Sequence, residues 1–132
     1  MTRVVVPVRY PLSAHSTRTL ERAVEVAEEH DAALTVLHVN LYQSGRKVTR
    51  TDLKHAVEEA VGFLSNTRYV VREGFLVEET ILNEVAAERA DIVVIGRKQV
   101  NRWRATIRNL VGDPDIESYL REELDAQIVT AD

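Results

Sequence analysis

The sequence has 132 residues, 45% of them apolar, enough for one domain with a sizeable core and no need of disulfide or metal staples. It contains no cysteine, which excludes disulfide frameworks, thiolate metal sites, iron–sulfur clusters and cysteine nucleophiles. A formal charge of -4 excludes a generally nucleic-acid-coating surface, because such proteins depend on net positive charge to neutralise phosphates.

The chain opens with the β-branched run Val4-Val5-Val6-Pro7-Val8, the length of a buried strand. It is too short to span a membrane, and Pro7 interrupts it where a signal peptide would continue, so neither export nor insertion is expected and a cytoplasmic location is. Ser13 and Ser16 read as helix-start residues, and Leu20, Ala23, Val24 and Ala27 then recur with the spacing of a one-sided helix. A second strand is expected over Leu34 to Val39, followed by a polar surface excursion from Tyr42 to Arg50. Thr49 and Asp52 stand at capping-box spacing before a helix carrying Leu53, Ala56, Val57, Ala60, Val61 and Leu64. A third strand is expected at Tyr69 to Val71, a third helix through Val77, Ile81, Leu82, Val85 and Ala86, and a fourth strand at Ile92 to Ile95. Asp113-Pro114 is a good N-cap followed by a proline at the first helical position, before a helix carrying Ile116, Tyr119, Leu120 and Leu124. A fifth strand is expected at Ile128 to Thr130. Continuously apolar strands alternating with one-sided helices specify a doubly wound α/β domain, residues 1–132, with a five-stranded parallel sheet and helices on both faces.

Several short segments in order carry a resemblance. They are Val5-Val6-Pro7-Val8, then Ser13-Ala14-His15-Ser16, then Leu34-Thr35-Val36-Leu37-His38-Val39, then Gly74 with Ile81-Leu82, and finally Ala90-Asp91-Ile92-Val93-Val94-Ile95-Gly96. Together they resemble a universal stress protein domain across essentially the whole chain. The resemblance implies the adenine nucleotide alpha hydrolase-like arrangement, with strand order 3-2-1-4-5. It also implies a dimer in which fifth strands meet, here through Gln127, Ile128, Val129 and Thr130.

Ligands of open α/β sheets bind beyond the carboxyl ends of strands where the winding reverses, which in that order lies between the first and fourth strands. ATP-binding members of the family place an Asp directly after the Val-Pro-Val strand. Their phosphate loop reads Gly, two residues, Gly, nine residues, Gly, then Ser or Thr, so that backbone amides reach phosphate oxygens. Here Arg9 stands in place of the Asp, Gln99 in place of the second glycine, and Asp113 follows the closing Gly112, which is itself displaced along the chain. A carboxylate at that helix start repels phosphate. Ordinary ATP binding is therefore not expected.

The altered segment is strongly basic: Arg97, Lys98, Arg102, Arg104 and Arg108 run without an intervening acid, and Arg9 would face the same crevice. One reading is capture of an anion by side-chain charge, with Tyr10 stacking on a base and His15 as a further contact. The other is that Val100, Trp103, Ile107, Leu110 and Val111 mark an extra amphipathic helix whose arginines form its wet face, with Trp103 packed in the core. The residues singled out for nucleotide or anion binding are Val8, Arg9, Tyr10, His15, Val39, Gly96, Arg97, Lys98, Arg102 and Gly112. No catalytic constellation and no metal-ligand spacing is present among the four histidines.

The expected function is that of a non-enzymatic, dimeric stress-response or regulatory protein with an altered ATP site, acting through a protein partner or an anion. The alternative is a nucleotide-binding module for ATP or AMP, at most a weak ATPase, that holds phosphates with Arg9, Arg97 and Lys98. A nucleic-acid contact through the basic segment is the least favoured, because aromatic content is only 5%.

Overall fold

The computed structural model describes residues 1–111 and 125–131. Its elements run β1 (Arg3–Pro7), α1 (Ala14–Glu29), β2 (Ala33–Leu41), α2 (Arg50–Val61), β3 (Thr67–Gly74), α3 (Val77–Glu88), β4 (Ile92–Gly96), α4 (Arg97–Val111) and β5 (Gln127–Ala131). The strands form one parallel sheet in the order β3-β2-β1-β4-β5, with Val5 opposite Thr35 and Val93, and Val93 opposite Ile128. The winding therefore reverses between β1 and β4, as the sequence reading expects.

Alternation along the strands divides the core into two layers. Val4, Val6, Leu34, Val36, Tyr69, Ile92 and Val94 meet Leu20, Ala23 and Val26 of α1 and Leu53 and Val57 of α2. Val5, Leu37, Val39, Val70, Val93 and Ile95 face the other way, onto Ile81, Leu82 and Val85 of α3 and Trp103 of α4. Each apolar strand residue thus loses water on one layer or the other, which is why the strands read as continuous apolar runs.

Local chemistry sets the boundaries. Ser13 caps α1, its hydroxyl accepting from the Ser16 amide at 3.1 Å. Thr49 and Asp52 complete the expected capping box at 3.1 and 3.0 Å. Gly62 stops α2 with φ of +83°, a conformation that costs glycine nothing, so Leu64 packs from the following loop and not from the helix. The polar excursion after β2 is pinned by buried Asn40, whose side-chain amide exchanges two hydrogen bonds with the Val48 backbone at 2.8 and 3.1 Å. β3 is longer than the apolar triplet Tyr69 to Val71 suggested, because Arg68 and Arg72 are strand residues paired with glutamates of α3.

The stretch from Arg97 is helix, not a loop. No glycine or proline occurs between Arg97 and Val111, and α4 starts at the residue after β4 ends. Trp103 is fully buried in the second layer, the packing role expected of it. The helix expected after Asp113-Pro114 lies outside the described residues.

Candidate functional site

A cavity of about 430 Å³ opens where the winding reverses. Its floor comes from strand ends: Val8 after β1, and Leu37, Val39 and Leu41 of β2, with Val77 and Ile81 of α3 closing the apolar side. Val8 is held in line by its amide, which donates to the Leu37 carbonyl at 2.8 Å. Its own carbonyl accepts from Nδ1 of buried His38 at 3.1 Å. A carbonyl can only accept, so that contact places a proton on His38 Nδ1.

The rim is cationic. Arg9 leaves the end of β1 exposed to solvent, while Lys98 and Arg102 lie one turn apart on α4 and both line the cavity. His15, Ser16 and Thr19 of α1 line it from the other side, together with the cap residue Ser13. His15 Nδ1 lies 2.7 Å from a guanidinium nitrogen of Arg18. A guanidinium only donates, so His15 accepts there and carries its proton on Nε2. The first turns of α1 and α4 hold no acidic residue, and both open on the cavity, so the partial positive charge of two helix starts adds to the cations.

Gly96 is needed for packing. A Cβ there would stand 3.2 Å from Thr19 Oγ1, a tight approach where α1 crosses the end of β4. Thr19 in turn donates its hydroxyl to the His15 carbonyl at 3.0 Å, which fixes the side chain against the glycine.

Of the residues singled out from the sequence, Val8, Arg9, His15, Val39, Gly96, Lys98 and Arg102 meet around this cavity. Arg97 opens α4 but is not in the cavity wall. Tyr10 is also outside it: its ring meets His38 edge-on at 6.2 Å and lies under the Arg46 guanidinium at 5.6 Å. One face of the ring is thus engaged by a cation. Gly112 lies outside the described residues. Sequence reasoning passed over Ser13, Ser16, Thr19, His38, Val77 and Gln99 as site residues. Thr19 was findable, since it follows His15 by one helical turn.

The family model described as the universal stress protein family matches residues 1–114. The chain belongs to the universal stress protein family. A search of curated proteins finds no significant match. Among solved structures, the chain is similar to a universal stress protein in complex with cAMP, at 16% identity over 97% of this chain and 96% of that one, with a TM-score of 0.59. It is similar to the universal stress protein UspA from Lactobacillus plantarum at 17% identity, covering 99% and 97%, with a TM-score of 0.59. It is also similar to the universal stress protein from Archaeoglobus fulgidus in complex with dAMP at 14% identity, covering 100% and 98%, with a TM-score of 0.58. These likenesses establish the shared five-stranded fold. Among the described residues, no helix is long and apolar enough to cross a membrane, and no cluster of side chains could hold a metal ion.

Proposed function

We propose that this universal stress protein is a binding protein, not an enzyme, whose cavity takes a small phosphorylated ligand of the adenosine monophosphate class through side-chain cations. The observation that carries this is the convergence of Arg9, His15, Lys98 and Arg102 on one cavity whose remaining walls are largely apolar. An apolar slot with a few convergent polar groups is the usual form of a small-molecule site. Two fold relatives hold cAMP and dAMP, ligands with one phosphate each. The segment after β4 is helix from Arg97 to Val111, which supports a reading in which fewer backbone amides cradle phosphates than a loop would offer. ATP in the usual family manner is accordingly disfavoured, and Arg9 and Lys98 take over the phosphate contact.

Thermal stability titrated with AMP, ADP and ATP at low and moderate salt tests this, since a ligand that binds only the folded state raises its stability. AMP should stabilise the protein, and salt should diminish the effect. Arg9→Ala and Lys98→Ala should each weaken binding by about tenfold, the scale of one charge-assisted hydrogen bond. Equal stabilisation of the two variants and the parent would contradict the role given to the cations.

Dimerisation through β5 is part of the same reading, and the two sheet edges differ in a way that favours it. The Leu34 amide bonds to the Asn66 carbonyl and the Tyr42 amide to the Gly74 carbonyl, so odd-numbered residues of β3 turn their backbone outward. Two of those outward carbonyls are capped, Tyr69 by Arg50 at 3.1 Å and Val71 by Arg72 at 3.4 Å. Such capping blunts an edge against pairing. On β5 the Gln127 amide bonds to the carbonyl of Asp91, the residue just before β4, which turns the backbone of Ile128 and Thr130 outward. Thr130→Pro removes one outward donor and leaves the β4 ladder intact, so it should shift a dimer toward monomer in sedimentation.

A further inference from the structure

Beneath α3, two carboxyl side chains are buried one helical turn apart. Glu84 and Glu88 keep only 8% and 7% side-chain exposure. Glu84 is gripped through both oxygens by Arg72, Nε to Oε1 at 2.9 Å and Nη2 to Oε2 at 3.3 Å. Glu88 Oε1 accepts from Thr35 Oγ1 at 2.9 Å and from Arg68 Nη2 at 2.7 Å. Glu88 Oε2 is buried, and no N–H or O–H donor among the described residues reaches it. Glu84 and Glu88 stand at i,i+4 on the buried face of α3, so their carboxyls are neighbours. Two ionised carboxylates at that spacing repel each other, and an ionised Glu88 would leave charge on a buried oxygen that no donor among the described residues reaches.

We propose that Glu84 and Glu88 share one proton in the folded protein, carried on Glu88 Oε2, and that this proton fastens α3 to the sheet. The pair then holds one negative charge between two arginines. The elements around the cluster supply two arginines for the one remaining negative charge and little else that is polar. β2 contributes the neutral donor Thr35, β3 contributes Arg68 and Arg72, and β1 contributes Arg3, whose guanidinium donates to the Glu88 backbone carbonyl at 3.0 Å. α4 adds Val100 and Trp103 to the core on this side. Glu88 is also the last residue of α3, where the negative end of the helix dipole opposes a carboxylate.

The titration behaviour follows the geometry. Burial and the hydrogen bond with Glu84 push the Glu88 carboxyl above the ordinary glutamate range, against the pull of Thr35 and Arg68. Burial also opposes ionisation of Glu84, but its hydrogen bonds from Glu88 and Arg72 and the charges of Arg72 and Arg68 hold it below that range. A raised folded value means that the stability contributed by protonated Glu88 is complete below the unfolded value and is lost as pH rises through the folded one. Val77 and Ile81, on the same helix, form part of the ligand cavity wall, so losing the proton loosens one side of that cavity. The device belongs to α3 and does not depend on which ligand the cavity takes.

The test is the unfolding equilibrium of the full chain in urea, from about pH 5 to about pH 9, for the parent and Glu88→Gln, whose amide reproduces the neutral donor at Oε2. Relative to the variant, the parent should lose up to about tenfold in its folding constant per pH unit until Glu88 ionises. A parent-to-variant ratio that stays constant over the whole range overturns the proposal. If Glu88→Gln does not fold, the carboxyl carbon of Glu88 followed by NMR in the parent decides. Its midpoint should lie above that of exposed Glu21, and a midpoint at or below Glu21 overturns the proposal.

Discussion

Single side chains in this molecule are judged by what surrounds them. Gly74 ends β3 against Thr80, and a Cβ at that position would overlap Thr80 Oγ1. Gly74→Ala should therefore destabilise the protein by about 1–3 kcal/mol in chemical unfolding, the usual cost of overpacking. Thr80→Ala in the same chain should restore most of that loss, because it removes the offending hydroxyl, and failure to restore it would place the strain elsewhere. Trp103 is buried completely among α3 and strand residues, so Trp103→Ala should cost about 3–5 kcal/mol. Its apolar spacing with Val100 was legible in the sequence. The buried histidine was not: His38 sits in an apolar strand run, and only the approach of the Val8 carbonyl reveals why a polar ring belongs there.

At the scale of elements, apolar periodicity carried most of the information, and charge hid the rest. The strands of the sheet interior and the helices α1 to α3 follow from their patterns, whereas the ends of β3 contain Arg68 and Arg72 and so broke the apolar run. Their charges are answered by Glu84 and Glu88 from a helix, a pairing that no local window contains. α4 shows the reverse situation. Measured against a family loop pattern the segment looked altered, but its uninterrupted helix-compatible sequence specified a helix from Arg97 onward. Gln99→Gly should weaken α4 by about 1 kcal/mol in thermal unfolding. The α2 cap is a second element-scale test. Thr49→Ala should cost about 1 kcal/mol in chemical unfolding, and because the backbone N–H of residue 49, the main group holding the Asp52 carboxyl below its ordinary range, stays in place, that carboxyl should return only part of the way when the hydroxyl is lost.

For the whole molecule, the doubly wound order directs the ends of β1, β2 and β4 and the starts of α1, α3 and α4 to one crevice, so residues distant in sequence become neighbours there. The topology made Arg9, His15, Lys98 and Arg102 a group before any ligand is considered. It also separated Tyr10 from that group, because its ring turns to His38 and Arg46, a contact the sequence offered no means of foreseeing. The central claim is that charge on side chains replaces a backbone phosphate cradle. Calorimetric titration of the protein with AMP and, in parallel, adenosine, at low and moderate salt, tests it most directly. Saturable AMP binding that weakens with salt, falls about tenfold in Arg102→Ala and is far stronger than adenosine binding is the predicted result. Equal binding of AMP and adenosine, or no binding of AMP at millimolar concentration, would contradict it.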